Sequence, residues 1–174
     1  MKLFQGIRTP CIGVCSTGIG DSVCRGCKRF DHEVIQWNAY SHDQKAAIDS
    51  RLGALLSSIV AWRLLIHDVE LLEQQLQHQQ IHYEKNRDPY CWLFELLRAG
   101  AGQIDDTERY GFTRLALFEQ QPLTDIRRDI DDEFYALSIA HYERYIVANR
   151  KRANQVSVEA KTATEVKSTE SYID

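Results

Sequence analysis

The chain is 174 residues long, a length that fits one domain. With 44% hydrophobic and 26% charged residues, 3 Pro and 9 Gly, it is neither disordered throughout nor collagen-like nor Pro-rich. Its net charge of −4 excludes a global basic field for nucleic acid.

Residues 1–30 carry Lys2, Arg8, Arg25, Lys28 and Arg29 against Asp21 alone, so a basic head precedes an acidic body. The head also holds Gly6, Gly13, Gly18, Gly20 and Gly26. This is loop composition without a periodic apolar face, and no core can be built from it. From Asp31, which can act as an N-cap, Val34, Ile35 and Trp37 lie on a short helical stretch. Ser41-His42-Asp43-Gln44 reads as a capping box. Behind it Ile48, Leu52, Leu55, Ile59, Trp62, Ile66 and Val69 recur at alternating steps of four and three. Leu72 and Leu76 extend the stripe. The pattern predicts a helix over residues 43–83, spanning about 60 Å at 1.5 Å per residue. Gly53 or Ser57-Ser58 could bend or break it.

Asp88-Pro89 predicts a second long helix, with Pro at its first position, through Tyr90, Cys91, Trp92, Leu93, Phe94, Leu96 and Leu97. Gly100 ends it. Residues 106–120 read as a third, weaker helix interrupted by Gly111 and stopped by Pro122. Thr124 then caps a helix with Ile126, Ile130, Phe134, Leu137, His141 and Tyr145 on one face, ending near Arg152. Residues 153–174 are rich in Ser, Thr, Lys and Glu and read as a disordered tail. No strand-period segment of useful length and no internal repeat is evident.

Four of the five cysteines fall in the head. Cys11, Cys15, Cys24 and Cys27 have the spacing C-x3-C-x8-C-x2-C. Two close pairs of thiolates suit a tetrahedral metal ion or an iron–sulfur cluster. The flexible link Gly18-Ile19-Gly20 lets the second pair fold back on the first. Gly13 and Gly26 lie inside the pairs, where the backbone must curl and turn its N–H groups toward sulfur. Disulfides are the bland alternative, but they need an oxidising compartment. The first residues lack an apolar signal-peptide core, so a cytoplasmic location is expected. The short Cys24-Arg25-Gly26-Cys27 turn resembles a zinc knuckle, and the absence of a C-x2-C-x2-C run weighs against a ferredoxin-type cluster without excluding one. The metal therefore stays open between zinc and an iron–sulfur cluster.

Pro10-Cys11-Ile12-Gly13-Val14-Cys15, then Asp21 with Cys24-Arg25-Gly26-Cys27-Lys28-Arg29, then Glu33-Val34-Ile35-Gln36-Trp37, resembles a bacterial family of uncharacterised proteins, domain of unknown function 1289. The likeness covers about residues 8–52. Such proteins usually show Arg-Thr after the second pair, where this chain has Arg29-Phe30. The family is predicted to be iron–sulfur proteins. What the resemblance implies is metal binding at the four cysteines; it implies no activity.

The remaining signals are weaker. Arg8, Arg25, Lys28 and Arg29 are expected to offset a negative thiolate centre rather than to bind nucleic acid, which the acidic body would repel. His78 and His82 lie four apart on the predicted long helix but lack the H-E-x-x-H glutamate. Cys91 reads as a buried core thiol and His141 as a core histidine. Trp37, Tyr40 and Trp62 read as a seat that docks the cysteine head on the helices. No nucleophile elbow or phosphate-cradling Gly loop appears, so catalysis is not expected. No run of about 18 apolar residues is present, so no membrane span is expected.

The sequence thus predicts a mostly α-helical protein in three parts. A small four-cysteine metal knot (1–40) precedes a helical bundle (41–152) and the tail (153–174). The chain is expected to be a monomer or weak dimer that acts by binding a protein partner. An iron–sulfur electron-transfer or redox-sensing protein is the alternative.

Overall fold

The computed structural model of the chain describes residues 7–149 and Arg152. The tail expected over 153–174 lies outside the described residues. The chain is mostly helical, as expected. The first helix, α1 (Asp31–Ile35), is capped one residue earlier than expected: Phe30 is the N-cap, and Asp31 stands in the first turn. The Glu33 side chain reaches back to accept the Phe30 N–H at 2.9 Å, which satisfies one of the free donors of the helix start. The capping box at Ser41 is formed. Ser41 Oγ accepts the Gln44 N–H at 3.2 Å, and Gln44 Oε1 accepts the Ser41 N–H at 2.9 Å. It opens α2 (His42–Ala61).

The long helix predicted over 43–83 is not continuous. It stops at Ala61, beyond Gly53 and Ser57-Ser58. The chain then forms the short strand β1 (Leu64–Ile66) and restarts as α3 (Val69–His78). The periodic stripe fails at the break: Trp62 is 66% exposed and Val69 41% exposed. Asp68 marks the restart, since its side chain accepts the Leu71 N–H at 2.9 Å. Residues 60–66 are nearly continuous in apolar character, and periodicity cannot distinguish a strand from a helix over so short a run.

After α4 (Pro89–Gly100), capped by Asp88 as expected, the weak helix predicted over 106–120 is also replaced. A 3-10 turn (Thr107–Tyr110), a strand β2 (Phe112–Arg114) and a second 3-10 turn (Ala116–Phe118) stand there instead. β2 pairs antiparallel with β1, in the register Leu64 to Arg114 and Ile66 to Phe112. Gly111 makes this possible. Its φ is 75°, and a Cβ there would stand 2.2 Å from the Asp68 carbonyl oxygen. Its own carbonyl accepts the N–H groups of His67 and Asp68.

The last helix, α5 (Leu123–His141), begins after Pro122 rather than at a Thr124 cap, and runs into a π-helical stretch, Tyr142–Val147. Its buried face starts as expected with Ile126, Ile130 and Phe134. It then continues in steps of four through Ser138 and Tyr142, while Leu137 and Tyr145 turn outward. His141 is half-buried beside the Tyr145 ring, not in the core.

α2 packs on α4 and α5, and α3 packs on α4. Together they enclose a core in which Leu64, Leu72, Leu93, Phe112, Ile126 and Ile130 are fully buried. A second, smaller cluster joins Val23 and Phe30 of the head to Tyr142. Among the described residues no helix is long and apolar enough to cross a membrane.

Candidate metal centre

Cys24 and Cys27 stand in one hairpin turn. Val23 and Phe30 form an antiparallel bridge. Inside it the Cys24 N–H donates to the Arg29 carbonyl and the Lys28 N–H to the Cys24 carbonyl, both at 2.8 Å. Lys28 closes the turn with a φ of 59°, a conformation few residues other than Gly adopt. The preceding loop is fastened to this turn. Ser16 Oγ accepts the Arg25 N–H at 2.9 Å, and the Val14 carbonyl lies 3.5 Å from Cys24 Sγ. That approach requires glycine at position 26, where a Cβ would come 2.5 Å from the Val14 oxygen.

The two halves of the cysteine set differ. Cys24 and Cys27 are buried; Cys11 and Cys15 are exposed. Cys11 Sγ accepts the Gly13 N–H at 3.4 Å, and Cys15 Sγ lies 3.1 Å from Thr17 Oγ1. Among the described residues no three His, Cys, Asp or Glu side chains are gathered closely enough to hold a metal ion.

Electrostatics treat the two buried cysteines differently, drawing Cys24 toward thiolate and holding Cys27 as a thiol. Burial raises the Cys24 thiol, but the N–H groups of Cys27, Ser16 and Gly26 and the Cys27 side chain outweigh it, bringing the group down from 9.0 to about 7. Burial lifts Cys27 above its ordinary value, against the hydrogen bond and charge of Arg29. Arg29 Nε donates to Cys27 Sγ at 3.3 Å. Its Nη1 is buried with no hydrogen-bond partner among the described residues. A pair of soft donors of which Cys24 is drawn toward thiolate, a glycine cradle and an orphaned donor beside it fit a thiolate-bound metal group.

Of the four cations expected around the centre, Arg8 lies against His82, and the other three take different positions. Arg25 is exposed, pairs with Asp21 at 2.9 Å and lies over the Tyr135 ring. Lys28 is buried and pairs with Asp131 of α5. Arg29 is buried against the Trp37 ring, 4.7 Å from its centroid. Trp37 is thus part of the seat expected for the head. Trp62 is not, since it lies exposed after α2.

His78 and His82 do not share a helix, because α3 ends at His78; both are exposed, and His82 contacts Glu84 and Arg8. Cys91 is a core thiol, as expected. Its Sγ donates to the Gly53 carbonyl at 3.4 Å, and burial pushes it up to about 11. Two contacts that secure the head escaped the sequence. One is Asp131 beneath Lys28. The other is Arg51, whose Nη2 donates to Glu33 at 2.6 Å and whose guanidinium lies 3.9 Å from the Phe30 ring centroid. The reach of Glu33 back to Phe30 was readable from their spacing; the Arg51 and Asp131 partners, 18 and 103 residues away, left no local signal.

Fold and site together define a helical protein that carries a cysteine-rich hairpin on its last helix. Residues 9–55 match the family model described as Protein of unknown function (DUF1289). The match spans all four head cysteines, α1 and most of α2, and it bears out the resemblance over the head. No curated protein and no solved structure matches the chain.

Proposed function

We propose that the head is a four-thiolate metal centre held by Cys11, Cys15, Cys24 and Cys27, and that the protein acts by binding a protein partner rather than by catalysis. The observation that carries this is the buried Cys24–Cys27 turn, with its lowered Cys24 thiol and its Arg29 donor on Cys27. Such a turn supplies half of a tetrahedral thiolate set. Cys11 and Cys15 supply the other half by curling the exposed loop over the turn. The loop is already tied there through Ser16 and Val14. A bound zinc ion would supply structural free energy, and a bound iron–sulfur cluster would supply one-electron chemistry. Exposed Ile12, Val14 and Ile19 flank the outer cysteines and suit contact with a protein surface.

A redox role is the second reading. Exposure of Cys11 and Cys15 favours it, since electron transfer needs a centre close to solvent. Purification without oxygen, followed by metal analysis and a visible spectrum, tests both. Zinc in a colourless protein supports the structural centre; iron with sulfide in a brown protein supports the redox reading. Absence of any stoichiometric metal contradicts both.

A further inference from the structure

Of the three cations in the second cysteine turn, Arg25, Lys28 and Arg29, two are already answered by carboxylates. Lys28 is committed to Asp131 and the Gly26 carbonyl, and Arg25 reaches solvent and pairs with Asp21. Arg29 differs. It is only 3% exposed, and among the described residues no carboxylate lies within ion-pairing distance of it. Its Nε donates to Cys27 Sγ, its face rests on Trp37, and its buried Nη1 has no partner among the described residues. A guanidinium out of water without an anion is strongly disfavoured. One thiol acceptor and a ring face do not supply a full negative charge.

We propose that Arg29 is the built-in counter-cation of the cysteine centre, a positioning residue that holds the Cys27 sulfur and selects an anionic, all-thiolate ligand set. This rests on the metal centre proposed above. Four thiolates around a divalent cation leave a net charge of about −2, so forming the centre gives Arg29 the anion that no carboxylate among the described residues supplies. The Trp37 face fixes the plane of the guanidinium, and that plane aims Nε at sulfur. A charged donor on a ligand sulfur both orients the ligand and stabilises its thiolate form.

Cobalt(II) titration of the full metal-free chain, kept free of oxygen, provides the test, read through the visible bands of tetrahedral cobalt–thiolate. Arg29→Gln is expected to weaken cobalt binding about 10–100-fold, whereas Arg29→Lys, which keeps the charge, loses less than about tenfold. Arg109→Gln makes the same charge change at an exposed site on the 3-10 turn before β2 and should leave affinity unchanged. Cys11→His keeps a ligand but removes one thiolate charge. In that background the penalty for Arg29→Gln should shrink, whereas a merely structural role gives the same loss in both. Equal penalties in the two backgrounds, or no penalty at all, overturn the proposal while leaving the metal centre standing. If Arg29→Gln loses its helical circular dichroism, Arg29→Lys decides, and a loss beyond about tenfold overturns the proposal. A wild-type chain that binds no cobalt overturns both the counter-cation and the centre.

Discussion

Single residues in this chain show how one side-chain type serves two ends. Cys24 and Cys91 are both buried thiols, yet backbone N–H groups bring the first down to about 7 while an apolar helix pushes the second up to about 11. The Cys91 shift has a consequence for stability. A folded-state value above the unfolded 9.0 means that the fold favours the protonated thiol. That contribution is complete below pH 9 and is lost as pH rises through about 11. Denaturant titrations of wild type and Cys91→Ser at pH 8 and pH 11 check this. The wild type should lose about 2 kcal/mol more than the variant over that interval. Equal losses would show that Cys91 titrates normally. Which cysteines belong to the head and which to the core was legible in the sequence, because spacing and local composition carry that information. The long-range partners of the head cations were not, since ion pairs across 103 residues leave no periodic trace.

At the scale of elements, two of the expected caps formed and two did not: Phe30 and Pro122 stand as N-caps in place of Asp31 and Thr124. Ser41-Gln44 and Asp88-Pro89 set the starts of α2 and α4 as expected, because caps act within one turn. The stripe beyond Ile59 misled, because a run that is apolar in every phase fits a strand as well as a helix. Asp68 was the overlooked cap. Its position, three residues before Leu71, signals the restart that splits the predicted long helix. The most exposed test of an element is α1. Glu33 is buried and answers both the Phe30 N–H and Arg51. Glu33→Ala leaves a largely buried guanidinium and a free helix-start donor and should cost about 2 kcal/mol. Glu33→Gln, which keeps an acceptor for the N–H, should cost less. Thermal melts of the two variants separate the outcomes, and indistinguishable melting of both from wild type would refute the role given to Glu33.

At the scale of the whole molecule, two clusters of unequal size are joined along α5. The larger lies among α2, α3, α4 and α5; the smaller joins Val23 and Phe30 to Tyr142, where α5 passes into its π-helical stretch. The head has little apolar substance of its own, so the proposed metal should stabilise it far more than it stabilises α4. Chelation is therefore expected to release hydrogen-exchange protection around residues 22–31 and near Tyr142 while α4 stays protected. Collapse of most of the helical signal on chelation would show that the bundle depends on the metal. The measurement that bears most directly on the central claim is the metal content per chain of anaerobically purified wild type, Cys24→Ser, Cys27→Ser and Cys91→Ser. A four-thiolate centre predicts bound metal in the wild type and in Cys91→Ser, and its loss from Cys24→Ser and Cys27→Ser. Equal metal content in wild type and Cys24→Ser would contradict it.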